Sequence, residues 1–391
     1  MPTNSTSTIL AHAINHVAGH LSTHLHSPLL DRSDQTRVAR CVESGFVSSI
    51  SDQVQEFESH ICRITGSRNA VAVVNGTAGL CISLIALGLR RGQEVFVPSL
   101  SFVATASAVV QAGGIPHFLD VDFKTAMGVN PAAFQQYLDD NFDFVDGKLI
   151  NTRTGNEVFG VIPVHILGFP CWITELADIC ASYGLIIVED AAEALGSKLH
   201  GTHVGTCGSV GVFSFNGNKI ITTGGGGVIV TDNDDLASKI RHLSTTAKVL
   251  SKVEFDHDAI GYNLRLPGLN AALGCSQAEK FPQILLMKHD IHERYKEMLS
   301  NEPNIKLLEP GPFVETNYWL VSILLTSNEV EDSFEIARQL IDLGIGVRPL
   351  WNLLPDLAPY KRFPSQTLVE VKLFHRKILC LPSSPAICAK V

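Results

Sequence analysis

Short, almost wholly apolar runs recur through the first part of the chain: Ala70–Val74, Glu94–Pro98, His117–Leu119, Phe159–Val164, Leu185–Glu189, Val210–Phe213 and Val228–Thr231. Continuous apolar runs of this length are the mark of strands buried on both faces. Between them lie stretches with helical spacing, Ala78–Arg90, Ala104–Ala112 and Ile173–Tyr183, and the joins carry turn residues such as Gly113-Gly114 and Phe169-Pro170. This alternation predicts an α/β domain with a largely parallel sheet over residues 45–250. From about residue 250 the pattern changes. Helical stretches at Gly268–Phe281 and Ile284–Leu299 precede a strand-like Tyr318–Leu325 and an amphipathic Ser333–Leu343. A smaller α+β domain is expected there, over 251–391 together with the N-terminal residues 1–44. The polar segment Asp139–Asn156 reads as a hairpin or excursion.

Composition narrows the class. Hydrophobic residues make up 45% of the 391 positions and charged residues 18%, which fits a folded globular enzyme and excludes a disordered chain. The net charge of −9 weighs against a nucleic-acid or anionic-membrane partner. It leaves room for a small anionic substrate, because a few cations and helix-end N–H groups suffice to hold one phosphate. The nine cysteines are scattered and form no Cys-x-x-Cys pair, so reduced thiols are expected rather than disulfides or a zinc site. Met1–Leu21 is polar and His-rich, unlike a signal peptide. No apolar run reaches the roughly 18–20 residues that cross a bilayer. A cytoplasmic location is the expectation.

Four segments carry candidate chemistry. Leu185–Asp190 is an apolar strand ending in a carboxylate, where open parallel sheets bind ligands. A buried carboxylate there needs a cationic partner, such as a protonated pyridine nitrogen; capping the next helix is the plainer use of Asp190. Gly211–Lys219 leads into Gly224–Gly227, which puts one lysine beside a glycine run that permits close backbone approach. Lys219 is either an amine nucleophile or a surface-loop residue. Asn75-Gly76-Thr77-Ala78 joins a strand to a helix, where free N–H groups and the Thr77 hydroxyl suit a phosphate, although Thr77 also suits a helix cap. Phe102, after a strand end, can lie over a planar ring or simply fill core.

Taken in this order, the segments resemble the DegT/DnrJ/EryC1/StrS group of pyridoxal-phosphate (PLP) sugar aminotransferases, from about Val47 to Ser384. The resemblance is carried by Asn75-Gly76-Thr77, Val97–Asp122, Val164–Gly168, Glu189–Ser197, Ser214–Gly227 and Gly261–Arg265. It implies fold type I of the PLP-dependent enzymes, like aspartate aminotransferase, with residues 45–250 as the PLP-binding domain. It implies Lys219 as the Schiff-base lysine and proton carrier, Asp190 at the pyridine nitrogen, Glu193 near the ring and Phe102 stacked on it. Gly76, Thr77, Ala78 and Ser214 would hold the phosphate. Asn263 would reach the phosphate of a second subunit, so a homodimer with shared sites is implied. Phe215–Gly227 and Phe46–Ser49 look most like the branch acting on UDP-linked 4-keto-6-deoxy-N-acetylhexosamine, with L-glutamate as amino donor. Lys248, Arg265, Arg348, Trp351 and Tyr360 are the candidates for the sugar nucleotide. Two departures stand out: Gly225 where many members carry Glu, and no His in Arg348–Pro355. A PLP sugar dehydratase is the alternative chemistry, but the resembling dehydratases replace the Schiff-base lysine with His.

Overall fold

The computed structural model describes residues 5–249, 251, 253–327 and 332–388. The apolar runs become a seven-stranded sheet: β1 (Asn69–Val73), β2 (Glu94–Pro98), β3 (Ile115–Leu119), β4 (Val158–Val161), β5 (Ile186–Asp190), β6 (Val210–Ser214) and β7 (Gly227–Thr231). Their spatial order is β1-β7-β6-β5-β4-β2-β3. All neighbours run parallel except at β7, which is antiparallel to both β1 and β6. Both faces are buried because side chains alternate across a strand. Ala70 and Ala72 enter one core with Phe96, Ile187 and Phe213, while Val71 and Val73 enter the other with Val95, Val188 and Val212. The pairing Ser214↔Gly227 and Val73↔Gly227 brings the ends of β1 and β6 to the start of β7, and β6 runs parallel to β5, which ends at Asp190. One edge of the sheet thus collects the strand ends that open α/β sheets use for ligands.

A second, antiparallel sheet is built from Ile305–Leu307, Ser322–Leu325, Ile378–Cys380 and Arg348–Pro349. The N-terminal helix Thr6–Ala18 packs there, with Leu10, Ile14 and Val17 joining Ile291, Tyr295, Ile323 and Leu340. The segment Asp139–Asn156 does contain a hairpin, Phe142–Val145 against Lys148–Asn151. Two expectations are corrected. The helices expected at Gly268–Phe281 and Ile284–Leu299 are one helix, Gly268–Leu299, running through Pro282. Proline removes one helical hydrogen bond, but Ala278, Phe281 and Ile284 around it are buried in the main core and hold the axis. The strand expected over Tyr318–Leu325 begins only at Ser322; Tyr318 has a positive φ of 46°. Asn317 is instead bound to the loop that follows β5, while Thr316 donates to Gly168 and Trp319 to Asn218.

Candidate active site

At the end of β5, Asp190 is 5% exposed and accepts hydrogen bonds from the Thr105 hydroxyl at 2.7 Å and the Ala192 N–H at 3.2 Å. Burial pushes its pKa upward, and the Thr105 hydroxyl opposes that shift. The helix Ala104–Gln111 after β2 places Thr105, and Ser101 lies 2.8 Å from its hydroxyl. Both donors to Asp190 are neutral, so the buried carboxylate has room for a cationic group. Three residues on, Glu193 is also buried; its carboxylate accepts from the Leu167 N–H at 2.8 Å. Burial raises its pKa too, against the pull of the nearby Lys219 ammonium.

Lys219 reaches into the same space from the loop after β6. Its Nζ lies 3.4 Å from Glu193 Oε1 and 4.0 Å from the centre of the Trp319 ring. The loop is closed on itself: Phe215 N–H donates to Gly226 C=O and Thr223 N–H to Phe215 C=O, while Asn270 Nδ2 donates to Thr223 and Gly225 carbonyls. The glycine run matters at Gly227, where a Cβ would sit 2.6 Å from the Asn75 backbone. Only a residue without a Cβ lets β7 start this close to the helix Gly76–Leu87. At that helix start the cap is Asn75, not Thr77: the Asn75 side chain accepts from Ala78 N–H at 2.8 Å. Thr77 and Ser214 line the cleft beside it.

These groups surround one cleft of about 340 Å³. Of the residues expected from sequence, it brings together Gly76, Thr77, Phe102, Asp190, Glu193, Ser214, Lys219 and Trp351. Phe102 is 54% exposed, edge-on to Trp351 with ring centres 6.3 Å apart. Ala78 sits just inside the helix, next to the cleft-lining Thr77. The cleft also holds Ser101, Asn216, Asn218 and Trp319, which sequence reasoning did not assign. Trp319 lay inside a run read as strand, and nothing in its spacing marked it. The arrangement fits PLP: a buried acid for the ring nitrogen, an amine within reach, an exposed aromatic face, and hydroxyls at a helix N-terminus for a phosphate.

The other expected residues lie outside this cleft. Asn263 is exposed and accepts from Arg265 Nε at 3.3 Å. Lys248 Nζ sits 4.0 Å over the Phe255 ring. Arg348 is exposed on the small sheet and donates to the Val347 carbonyl. Tyr360 is a correction: it is 8% exposed, packs on Phe118, and its hydroxyl is 2.6 Å from Ser107 Oγ. Its ring packs in the core and its hydroxyl already has Ser107 as a partner, rather than lying open to the cleft. The larger cleft of about 800 Å³ between Arg32–Ser44 and Phe46–Gln53 holds none of this chemistry. Nearby, Glu56, His60 and Cys275 converge, but Arg37 occupies Glu56 and the Cys275 thiol donates to Gln53 C=O. All nine cysteines are free thiols. No helix among the described residues is long and apolar enough to cross a membrane.

Fold and site together define a PLP-dependent aminotransferase of the α/β type. The chain belongs to the DegT/DnrJ/EryC1/StrS aminotransferase family, whose model matches residues 28–390. It is 32% identical to a GDP-perosamine synthase of Vibrio cholerae, over 93% of this chain and 94% of that protein. It is 31% identical to a GDP-perosamine synthase of Escherichia coli O157:H7, over 93% of each. Against the putative pyridoxal phosphate-dependent aminotransferase EpsN of Bacillus subtilis it is 31% identical, over 93% and 91%. Among solved structures, the aminotransferase TlmJ from Streptoalloteichus hindustanus superposes with a TM-score of 0.81 at 26% identity, covering 92% and 93% of the two chains. Sugar-nucleotide amination is therefore the class of reaction.

Proposed function

We propose that the enzyme transfers the amino group of L-glutamate to carbon 4 of a nucleotide-linked 4-keto-6-deoxy sugar. The observation that carries this reading is the cleft in which Lys219 Nζ, Glu193 and the buried Asp190 meet beside a helix N-terminus. When bound, PLP would supply an electron sink for the substrate carbon. Lys219 is the residue that would hold it covalently, and its Nζ would move the proton between substrate carbon and cofactor. Asp190 holds a proton on the ring nitrogen, because its buried carboxylate gains most from a cationic neighbour. Glu193 orients Lys219 and the ring, and Phe102 covers one ring face. Gly76, Thr77, Ala78 and Ser214 bind the phosphate.

Asn263, exposed and outside this chain's own cleft, reaches the phosphate in a partner subunit, so the active unit is a homodimer. Arg265, Lys248 and Arg348 are the cations for the sugar nucleotide's diphosphate, with Trp351 to pack on its sugar or base. The larger domain comprises 45–250 and the smaller one 1–44 with 251–391; the enzyme works in the cytoplasm. UDP-2-acetamido-2,6-dideoxy-4-hexulose is the acceptor favoured by the wording of Phe215–Gly227 and Phe46–Ser49. A GDP-linked sugar is the second reading, supported by the names of the Vibrio and Escherichia relatives.

The test is a mass-spectrometric assay of UDP-, GDP- and dTDP-linked 4-keto and 3-keto sugars with glutamate. The UDP-linked 2-acetamido sugar should have the highest kcat/KM. A better GDP-linked substrate moves the assignment to the second reading, and a preferred 3-keto sugar refutes amination at carbon 4. Borohydride reduction should place the phosphopyridoxyl mass on Lys219; finding it on another lysine refutes the site.

A further inference from the structure

Trp319 comes from the far end of the chain, yet it lines the cleft and is 4% exposed. Its indole N–H donates to the Asn218 carbonyl at 2.8 Å, one residue before Lys219. Its ring face lies 4.0 Å from Lys219 Nζ, which also sits 3.4 Å from Glu193 Oε1. The two contacts differ in kind. The carboxylate attracts an ammonium strongly, whereas the aromatic face attracts it weakly and accepts the neutral amine and its methylene stem as well.

The backbone that carries the ring is held as well. The Trp319 backbone N–H donates to Asn317 Oδ1 at 2.9 Å, and the Trp319 carbonyl accepts from the fully buried Lys288 Nζ at 2.9 Å. Asn317 in turn donates from Nδ2 to the Glu193 and Leu195 carbonyls at 2.8 and 2.9 Å, and from its backbone to Ser197 Oγ at 3.0 Å. Gly168, at φ +90°, makes room for this: a Cβ there would fall 2.0 Å from Asn317 Oδ1. The same network therefore fixes the loop bearing Glu193 and the platform beneath Lys219.

We propose that Trp319 is a positioning residue for Lys219: its indole N–H fixes the loop backbone at Asn218, and its ring face receives Nζ whenever the amine is not joined to the cofactor. This rests on the reading of Lys219 as the Schiff-base lysine. A lysine on a flexible four-carbon stem must leave the cofactor and return to it in every catalytic cycle. A fixed aromatic face and a carboxylate, both within 4.0 Å of Nζ, limit where the free amine can rest, so that it returns to attack in the right place.

The experiment starts from cofactor-free enzyme. PLP is added, Nζ attacks the aldehyde carbon with loss of water, and borohydride then delivers hydride to the C=N bond. Mass spectrometry follows the rate at which the Lys219 peptide gains the phosphopyridoxyl mass. Trp319→Leu removes both the face and the N–H; Trp319→Phe keeps an aromatic face and removes the N–H. Capture at Lys219 should slow by about tenfold in the Leu variant, and by about threefold in the Phe variant. A Leu variant with native circular dichroism and a capture rate within twofold of wild type overturns the proposal. Should the Leu variant not fold, the Phe variant decides, and a wild-type rate there overturns it. Label on a different lysine in the wild-type protein refutes the reading of Lys219 instead, which the rates alone would not reveal.

Discussion

His203 offers a pH test of the loop that carries Glu193. Its ring is 5% exposed, and it lies 2.7 Å from the Gly196 N–H at Nε2 and 2.6 Å from the Val204 carbonyl at Nδ1. The backbone N–H can only donate, so Nε2 accepts and Nδ1 carries the proton. Only the neutral ring satisfies both contacts. Burial lowers the pKa from 6.5 to about 4. Between those values the unfolded chain binds a proton that the native protein does not, so stability must fall as pH falls. The contribution is complete above pH 6.5 and is lost on approaching pH 4. A difference of about 2.5 units at 1.36 kcal/mol each is roughly 3 kcal/mol. His203→Gln keeps an acceptor for Gly196 and does not titrate. Urea unfolding of both proteins at intervals from pH 7 to 4 should give wild type a steeper loss, the gap growing by about 3 kcal/mol. His26 and His375, which burial also lowers, titrate in both proteins and cancel in the comparison. Parallel curves for the two proteins would refute the neutral-ring assignment.

Asp190→Asn should keep the fold and the yellow colour of bound PLP. Turnover should fall on the order of a thousandfold, because a charge interaction of about 4 kcal/mol is lost; near-normal turnover would show that Asp190 does not serve the ring. Mixing Lys219→Ala with Asn263→Ala subunits should restore activity above either parent, since one heterodimer site is intact. The test applies once Asn263→Ala is shown to weaken PLP retention, and no recovery in confirmed heterodimers counts against shared sites. Glu58 accepts from both terminal nitrogens of Arg241, at 3.0 and 2.9 Å, and from Ala72 N–H at 2.8 Å. Glu58→Ala should cost about 2–3 kcal/mol by urea unfolding, the half-exposed arginine contributing least. A loss below about 1 kcal/mol would mean that water replaces those bonds.

Much of the large sheet was legible in sequence because its strands are buried on both faces and therefore read as unbroken apolar runs. Glu94–Pro98 was placed to the residue, and the other strands differ only at their ends. The segments singled out for chemistry do meet: Asp190 at its strand end, Lys219 in the loop after Ser214 and Thr77 in the first turn of Gly76–Leu87 line one cleft. The small sheet was mostly hidden. Its strands Ile305–Leu307, Arg348–Pro349 and Ile378–Cys380 are too short for a period to show. Pro282 lies between the two stretches read as separate helices, and burial of its neighbours carries one helix through it. Trp319 looked like an ordinary strand residue, Asn317 just before that run was not singled out, and Tyr360 looked available to a ligand. What decided their roles was which distant segment met them: Asn218 and Lys219 for Trp319, Glu193 and Leu195 for Asn317, Phe118 and Ser107 for Tyr360. Local sequence sets backbone preference and burial pattern, which repeat over a few residues. The partner of a side chain is set by packing between segments over a hundred residues apart, and only the tertiary structure contains it.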